Sequence, residues 1–111
     1  MNKRRVVVTG IGIICPVGND LNTAWNNIKN GVSGVDTITK FDISNFSTKI
    51  AGEVKNFTTA GFIEDKDARR MDTFVRFGMV AGIQAIKDAG LEEFPGLNKD
   101  RVGLIIGSGI G

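Results

Sequence analysis

The stretch Arg5 to Ile14, RVVVTGIGII, decides the fold of this 111-residue chain. Apolar and mostly β-branched residues fill consecutive positions, which is typical of a strand buried on both faces of a sheet. Val102 to Ile106 is a second continuous apolar run of the same kind. Strands of this type need helices that cover both faces of the sheet. The sequence therefore predicts an α/β fold with two buried core strands.

A first helix is predicted after the turn Cys15-Pro16-Val17-Gly18. Asn19 or Asp20 provides the N-cap and Gly31 the C-terminal stop. Apolar residues recur between them with the i, i+3, i+4, i+7 spacing of an amphipathic helix, at Leu21, Ala24, Trp25 and Ile28. Brief strands are expected at 35–38 and 49–54, with three phenylalanines under the neighbouring loops (Phe41, Phe46 and Phe57).

A second, longer helix is expected from about Asp67 to Ala89, with Gly90 as its stop. One face of this helix carries almost no side chain, because Gly78, Gly82, Ala85 and Ala89 lie on it. Each glycine costs a helix interior about 1 kcal/mol relative to alanine. A neighbouring element that packs very close would offset this cost, so we expect the helix to be central.

Composition limits the chemistry that the chain can support. Hydrophobic residues make up 41% and charged residues 23%, as in ordinary globular proteins. The net charge of +2 does not by itself indicate nucleic-acid binding, and no apolar run approaches the roughly 18 residues of a membrane span. The chain has no histidine and one cysteine, so we expect no histidine-dependent catalytic site, no metal site and no internal disulfide. Low cysteine usage fits a reducing cytoplasm.

Three cations, Lys66, Arg69 and Arg70, have the i, i+3, i+4 spacing that puts them on one side of the predicted long helix at its start. One interpretation is a solvated helix start with ion pairs to the neighbouring acids, which are Glu64, Asp65 and Asp67. The other is a docking patch for an acidic partner or a phosphate.

Two glycine-rich stretches allow a further hypothesis, a nucleotide-binding module. Gly10-Ile11-Gly12 follows a strand, but the dinucleotide fingerprint needs a third glycine where Cys15 stands and a helix that begins at once. A structural turn is the alternative. Cys15 itself is expected to be a small buried hydrophobe rather than a nucleophile.

The terminal stretch 107–111, GSGIG, lacks both the Walker lysine and the nucleophile-elbow spacing. It lies where α/β proteins place ligands, so Ile110 is either one wall of a pocket or a plain core residue. Because a core strand leads directly into this flexible turn, we expect the chain to be the N-terminal part of something larger.

Taken in order, these segments resemble the beta-ketoacyl-[acyl-carrier-protein] synthases, most closely the type II elongating condensing enzymes. The resemblance covers the whole chain and depends on the joint order of six pieces: 4–12 (RRVVVTGIG), 16–18 (PVG), 41–42 (FD), 69–72 (RRMD), 88–91 (DAGL) and 106–111 (IGSGIG).

The resemblance implies a thiolase-like layered fold, of which residues 1–111 are the N-terminal part of the first half, and a cytoplasmic homodimer. It implies a decarboxylative Claisen condensation of an acyl thioester with malonyl-carrier protein, without a metal or organic cofactor, a nucleic acid or a membrane. The family's nucleophilic cysteine, two histidines and lysine lie beyond position 111. We therefore expect no catalytic residue in this chain and no condensation activity from it alone.

Residue by residue, Lys66, Arg69 and Arg70 match the family's docking patch for acyl carrier protein, loaded with acyl or malonyl groups. Ile110 matches a residue of the acyl pocket that helps to gate chain length. A nucleotide-binding α/β module and a non-catalytic carrier-binding subunit are the alternative functions.

Overall fold

The computed structural model describes residues 2–111. Helix α1 (Leu21–Lys29) is followed by a hairpin of β1 (Val35–Thr37) and β2 (Ile50–Gly52), then by the short helix α2 (Asp65–Ala68) and the long helix α3 (Thr73–Asp88). A single 3-10 turn, Lys99–Arg101, precedes the C-terminal segment.

Helix α1 confirms the sequence prediction at both ends. The Asp20 carboxylate accepts hydrogen bonds from the Thr23 amide (2.9 Å) and hydroxyl (2.8 Å), and these bonds lower the pKa of Asp20 below its ordinary value. At the other end, Gly31 has φ +67°, a conformation that favours glycine. The predicted apolar face is only partly covered: Ala24 is buried, whereas Trp25 remains 56% exposed.

The predicted brief strands form an antiparallel pair in which Asp36 lies opposite Ala51. Beyond the pair, Glu53 accepts hydrogen bonds from the Thr39 hydroxyl (2.8 Å) and amide (3.1 Å), which lower the pKa of the Glu53 carboxyl. Phe41 and Phe46 contact each other edge to face at 5.4 Å, but both stay half exposed. The hairpin thus has a defined register with little core of its own.

The expected single helix from Asp67 to Ala89 is wrong at its start, because the chain forms two helices there. Asp72 has an extended backbone (φ −64°, ψ 158°) and occupies the N-cap position of α3, so the helical path is interrupted after Ala68. The Asp72 side chain makes no capping hydrogen bond, so the break is defined by the backbone conformation alone. The predicted C-terminal stop is confirmed, since Gly90 has φ +69° directly after the C-cap.

The small-residue face of α3 receives backbone, as the sequence predicts. A Cβ atom on Gly10 would lie 2.5 Å from the Ala85 carbonyl oxygen, and one on Gly12 would lie 2.7 Å from the Ala85 nitrogen. The segment is also held by side chains of α3, because the Ile11 amide donates to Asp88 (2.9 Å) and the Ile13 amide donates to Gln84 (3.1 Å).

The C-terminal segment lies on the next row of the same helix. A Cβ atom on Gly78 would lie 3.3 Å from the Ile106 side chain, and one on Gly82 would lie 3.8 Å from the Leu104 side chain. Gly78 and Gly82 lie on the surface of α3 next to Ala81 and Ala85. The C-terminal segment therefore packs on α3 beside the N-terminal segment.

The prediction that these segments are two buried core strands is wrong for residues 2–111. Neither segment belongs to a sheet, Val6 is 92% exposed and Ile105 is 99% exposed. A strand exists only when its backbone groups pair with another strand. Here Ile11 and Ile13 donate instead to side chains of α3, so the segments are extended without forming a ladder.

The buried core is small, and the apolar surface is large. Only Ala24, Ala68 and Val80 are buried hydrophobic residues within the described chain. The accessible surface is 9063 Å², against about 5,900 Å² for a folded monomer of this mass. The radius of gyration is 17.3 Å, compared with roughly 13 Å for a compact domain of this length. Much of the exposed apolar surface is therefore of a kind that folded proteins cover.

Candidate functional site

The three predicted docking cations lie together on one short turn. We call Lys66, Arg69 and Arg70 the basic turn; all three side chains are exposed. Lys66 belongs to α2, Arg69 is its C-cap, and the Arg70 amide donates to the Asp67 carbonyl at 3.0 Å. The prediction that they open a long helix is wrong, because α2 ends at Ala68. The backbone nevertheless stays helical enough to keep the three on one turn.

Arg76 of α3 binds the backbone of this turn through its side chain. Its Nε atom donates to the carbonyl oxygens of Ala68 (2.8 Å) and Met71 (3.0 Å), the residues on either side of Arg69 and Arg70. The Ala68 side chain is buried and Arg76 is half buried. The single Nε–H group is shared between these two carbonyl oxygens. The Ala68 carbonyl also accepts from the Met71 amide at 3.1 Å, so Arg76 adds a second bond there and gives the Met71 carbonyl a partner at the break between α2 and α3.

Acidic residues at the start of α2 balance the charge of the basic turn. Asp65 and Asp67 lie in the first turn of the helix, and Glu64 precedes it. Three acids and three cations thus lie within seven residues, with two acids first and two arginines last. Negative charge at the start and positive charge at the end of a helix is the favourable order. The site therefore presents exposed cations beside exposed anions rather than a uniform positive field.

An apolar cleft of about 210 Å³ lies between α3 and the C-terminal segment. It is lined by Phe74, Val75, Gly78, Met79, Leu104, Ile106 and Ser108. A Cβ atom on Gly111 would lie 3.0 Å from the Phe74 ring, so the terminal turn reaches the first turn of α3. Asp72, the N-cap of α3, lies two residues after Arg70. The cleft and the basic turn therefore share one end of this helix.

Ile110, the predicted pocket residue, does not line this cleft. Its side chain is fully exposed, and the two glycines that flank it give the segment no side-chain anchor of its own. The role of Ile110 in an acyl pocket stays a prediction. Ser108 is the residue of the terminal turn that the structure brings to the cleft.

Gly10 and Gly12, on which the nucleotide-binding hypothesis depends, pack against α3 instead. Gly10 and Gly12 face the backbone of α3 at distances that leave no room for a side chain, still less for a ligand. Helix α1 begins only at Leu21, after a tight turn in which Cys15 and Gly18 exchange two backbone hydrogen bonds. These glycines allow close packing, and the geometry does not support a pyrophosphate cradle there.

Other kinds of site are absent from the part of the chain that the structure describes. Residues 2–111 contain no group of three or more side chains that could hold a metal ion. No helix among them has both the length and the apolar character that a membrane crossing requires. Cys15 is a free, half-buried thiol whose Sγ atom lies 3.5 Å from the Gly18 carbonyl oxygen.

Comparison with known proteins defines the class of the chain. The family profile described as "Beta-ketoacyl synthase, N-terminal domain" matches residues 3–111, so the chain belongs to the beta-ketoacyl synthases. Among curated relatives it is similar to "3-oxoacyl-[acyl-carrier-protein] synthase 2" of Vibrio harveyi, with 51% identity over 111 residues. This alignment covers 100% of the chain and 26% of the relative.

A second relative and a solved structure agree with this assignment. The Staphylococcus aureus (strain COL) protein of the same name is 47% identical over 112 residues, covering 98% of this chain and 26% of its own length. The structure "The ishigamide ketosynthase/chain length factor" superposes with a TM-score of 0.73 at 30% identity, covering 92% of this chain and 24% of that one. The mixed α/β, thiolase-like fold class is thus confirmed, and the chain spans about a quarter of these relatives.

Sequence reasoning found the basic turn but missed Arg76 and the cleft. Arg76 has no motif around it, and its role depends on the break after Ala68, which the helical periodicity concealed. The cleft had one signal in the sequence, Gly78, because a position of α3 without a side chain lets Ile106 of the apolar run 102–106 pack closely against the helix beside the cleft.

Proposed function

We propose that this chain is the N-terminal quarter of a cytoplasmic, homodimeric 3-oxoacyl-[acyl-carrier-protein] synthase, the incomplete first half of a thiolase-like fold. The support is the family match over residues 3–111 together with relatives named for this activity at 47–51% identity. In this role the chain supplies core scaffold, a carrier-docking surface and one wall of the acyl pocket. The alternatives, a nucleotide-binding module and a non-catalytic subunit, gain no support from the comparisons.

The reaction of the complete enzyme has two stages. An acyl group moves from its carrier protein to a cysteine thiolate, and the carrier thiol leaves. Malonyl-carrier protein then loses carbon dioxide, and the resulting carbanion attacks the acyl-cysteine carbonyl. The carbon–sulfur bond to the enzyme breaks, which releases the 3-oxoacyl-carrier product and restores the thiolate. None of these reacting groups comes from this chain, so its own residues bind and position substrates.

One observation carries the docking proposal: the exposed basic turn is fixed at the same end of α3 as the apolar cleft. An acidic carrier protein that docks on Lys66, Arg69 and Arg70 is placed beside the segment 104–111, which in this proposal borders the acyl chain. Ile110, in the same segment, is the proposed pocket wall that influences chain length. Electrostatic docking of this kind is salt-sensitive and acts mainly on encounter and orientation.

A hybrid synthase tests this proposal. Residues 1–111 replace the corresponding N-terminal quarter of the Vibrio harveyi relative, and condensation is measured with carrier-bound and with carrier-free acyl thioesters. We expect the hybrid to be active. Charge reversal at all three positions (K66E, R69E and R70E) should raise KM for the carrier-bound substrate by roughly 10- to 100-fold, because exposed ion pairs contribute about 0.2–1 kcal/mol each and reversal adds repulsion.

Two controls distinguish a loss of carrier docking from a general loss of enzyme activity. The triple variant should use carrier-free thioester as well as the parent hybrid does. A matched variant reverses three other exposed cations, Lys3, Lys40 and Arg101, and should leave KM for the carrier-bound substrate unchanged. An inactive hybrid would contradict the enzymatic proposal, whereas equal effects of the two triple variants would remove the docking assignment alone.

A further inference from the structure

Arg76 holds the basic turn without being part of the proposed docking surface. Arg76 lies on α3, is half buried, and donates through Nε to the carbonyls of Ala68 and Met71. These two carbonyls bracket Arg69 and Arg70. One guanidinium therefore fixes both ends of the two-residue segment that carries the docking arginines.

Apart from the Arg76 contacts, short-range backbone hydrogen bonds define the shape of the turn, among them the bond from the Arg69 amide to the Asp65 carbonyl at 3.1 Å. Helix α2 has only four residues, its N-cap Glu64 makes no side-chain capping bond, and Asp72 likewise gives α3 no side-chain capping bond. The Arg70 amide bonds to Asp67 and the Met71 amide to Ala68 (3.0 and 3.1 Å), which is the pattern of isolated tight turns. Such turns open easily unless tertiary contacts hold them.

We propose that Arg76 is the positioning residue of the carrier-docking surface: by clamping the Ala68 and Met71 carbonyls, it presents Arg69 and Arg70 in a fixed geometry. This inference rests on the proposed docking function. Binding to a preorganised pair of arginines avoids part of the ordering cost that two free, rotamer-rich side chains would incur. Arg76 thus acts through its neighbours, and its own charge is directed at backbone oxygens rather than at a partner.

The test measures binding of fluorescently labelled acyl carrier protein to the full 111-residue chain. R76M keeps an unbranched side chain as far as the position of Nε and removes the donor and the charge, and it should weaken binding by roughly tenfold. R76K keeps the charge but not the Nε donor at this position, and it should recover only part of the affinity. If Arg76 contributed charge alone, R76K would bind as tightly as the native chain, which would overturn the proposal.

A double-mutant cycle shows whether Arg76 acts through the basic turn. In a chain that already carries R69A and R70A, the R76M change should have almost no further effect, because the groups that it positions are gone. An undiminished tenfold loss in that background would contradict the positioning role. The charge-reversed chain (K66E, R69E and R70E) serves as reference: if it binds as tightly as the native chain, the docking function itself fails.

Hydrogen exchange provides a measurement that does not depend on the carrier protein. In R76M the amides of Arg70 and Met71 should exchange several-fold faster, while the Ala89 amide, which bonds to Ala85 at 3.0 Å near the far end of α3, should be unchanged. Faster exchange at all three amides would mean general unfolding. Unchanged exchange at Arg70 and Met71 would show that Arg76 does not hold the turn.

Discussion

Substitution of Gly12 by alanine tests the contact on which the packing of the N-terminal segment depends. The added Cβ atom would overlap the Ala81 carbonyl oxygen and would lie 2.7 Å from the Ala85 nitrogen. Ordinary contacts of a Cβ atom begin near 3.4 Å, and both obstacles are backbone atoms of a helix that cannot yield locally. The segment must therefore move away from α3. Overpacking of this kind costs about 1–3 kcal/mol.

The amides of Ile11 and Ile13 report this displacement directly. In the native chain they donate to the Asp88 carboxylate and to the Gln84 side-chain oxygen, at 2.9 and 3.1 Å. If the segment separates from α3, both bonds lengthen or break, and hydrogen exchange accelerates. A cost of about 1–3 kcal/mol corresponds to roughly a 5- to 150-fold loss of protection at these two amides in G12A.

The matched control is G109A, which adds the same methyl group where no atom lies within 4 Å and where φ is outside the left-handed region. We expect G109A to leave the exchange of Ile11 and Ile13 unchanged. Native-like protection in G12A would refute the close backbone approach between the segment and α3. An equal loss in both variants would show that the effect comes from glycine replacement in general and not from the α3 contact.

Two further predictions concern carboxylates that hold local structure. D20A removes the N-cap of α1 and should destabilise the helix by about 1 kcal/mol by circular dichroism, whereas D20N should retain most of the helix because asparagine also caps; equal loss in both would contradict the cap. Hydrogen bonds from Thr39 lower the pKa of Glu53, so its contribution to the hairpin is present above its unfolded pKa and is lost as pH falls through the folded pKa. Proton-detected NMR should show the Thr39 amide shift titrating with Glu53, and E53Q should abolish this titration; persistence in E53Q would assign it to another group.

Local sequence signals predicted the elements that depend on local interactions. The Asp20 cap, the apolar spacing of α1 and the positive φ of Gly31 are all short-range, and they gave the helix nearly residue by residue. The hairpin strands were likewise predicted to within two residues at their ends. The stop at Gly90 has the same local origin. Such features need no knowledge of the rest of the molecule.

The errors occur where an element depends on a partner. Helical periodicity runs through 67–89 without a gap, but the helix is interrupted before Asp72, where Arg76 binds the Ala68 and Met71 carbonyls. For the site, the spacing of the three cations was enough to predict that they lie on the same turn. The contact of Arg76 with that turn could not be predicted, because a half-buried arginine bonded to backbone leaves no pattern in the sequence.

The two apolar segments, 5–14 and 102–106, depend both on a local pattern and on a partner. Their composition indicated strands covered by a helix, and α3 does receive both of them, Gly10 and Gly12 on one row of small residues and Ile106 on the next. What they lack is a hydrogen-bonding neighbour, so their outer faces carry exposed valines and isoleucines. The accessible surface is about 3,000 Å² larger than that of a compact monomer of this mass. The small-residue face of α3 determines where the two segments lie. Whether they become a sheet depends on hydrogen bonds to the backbone of another strand.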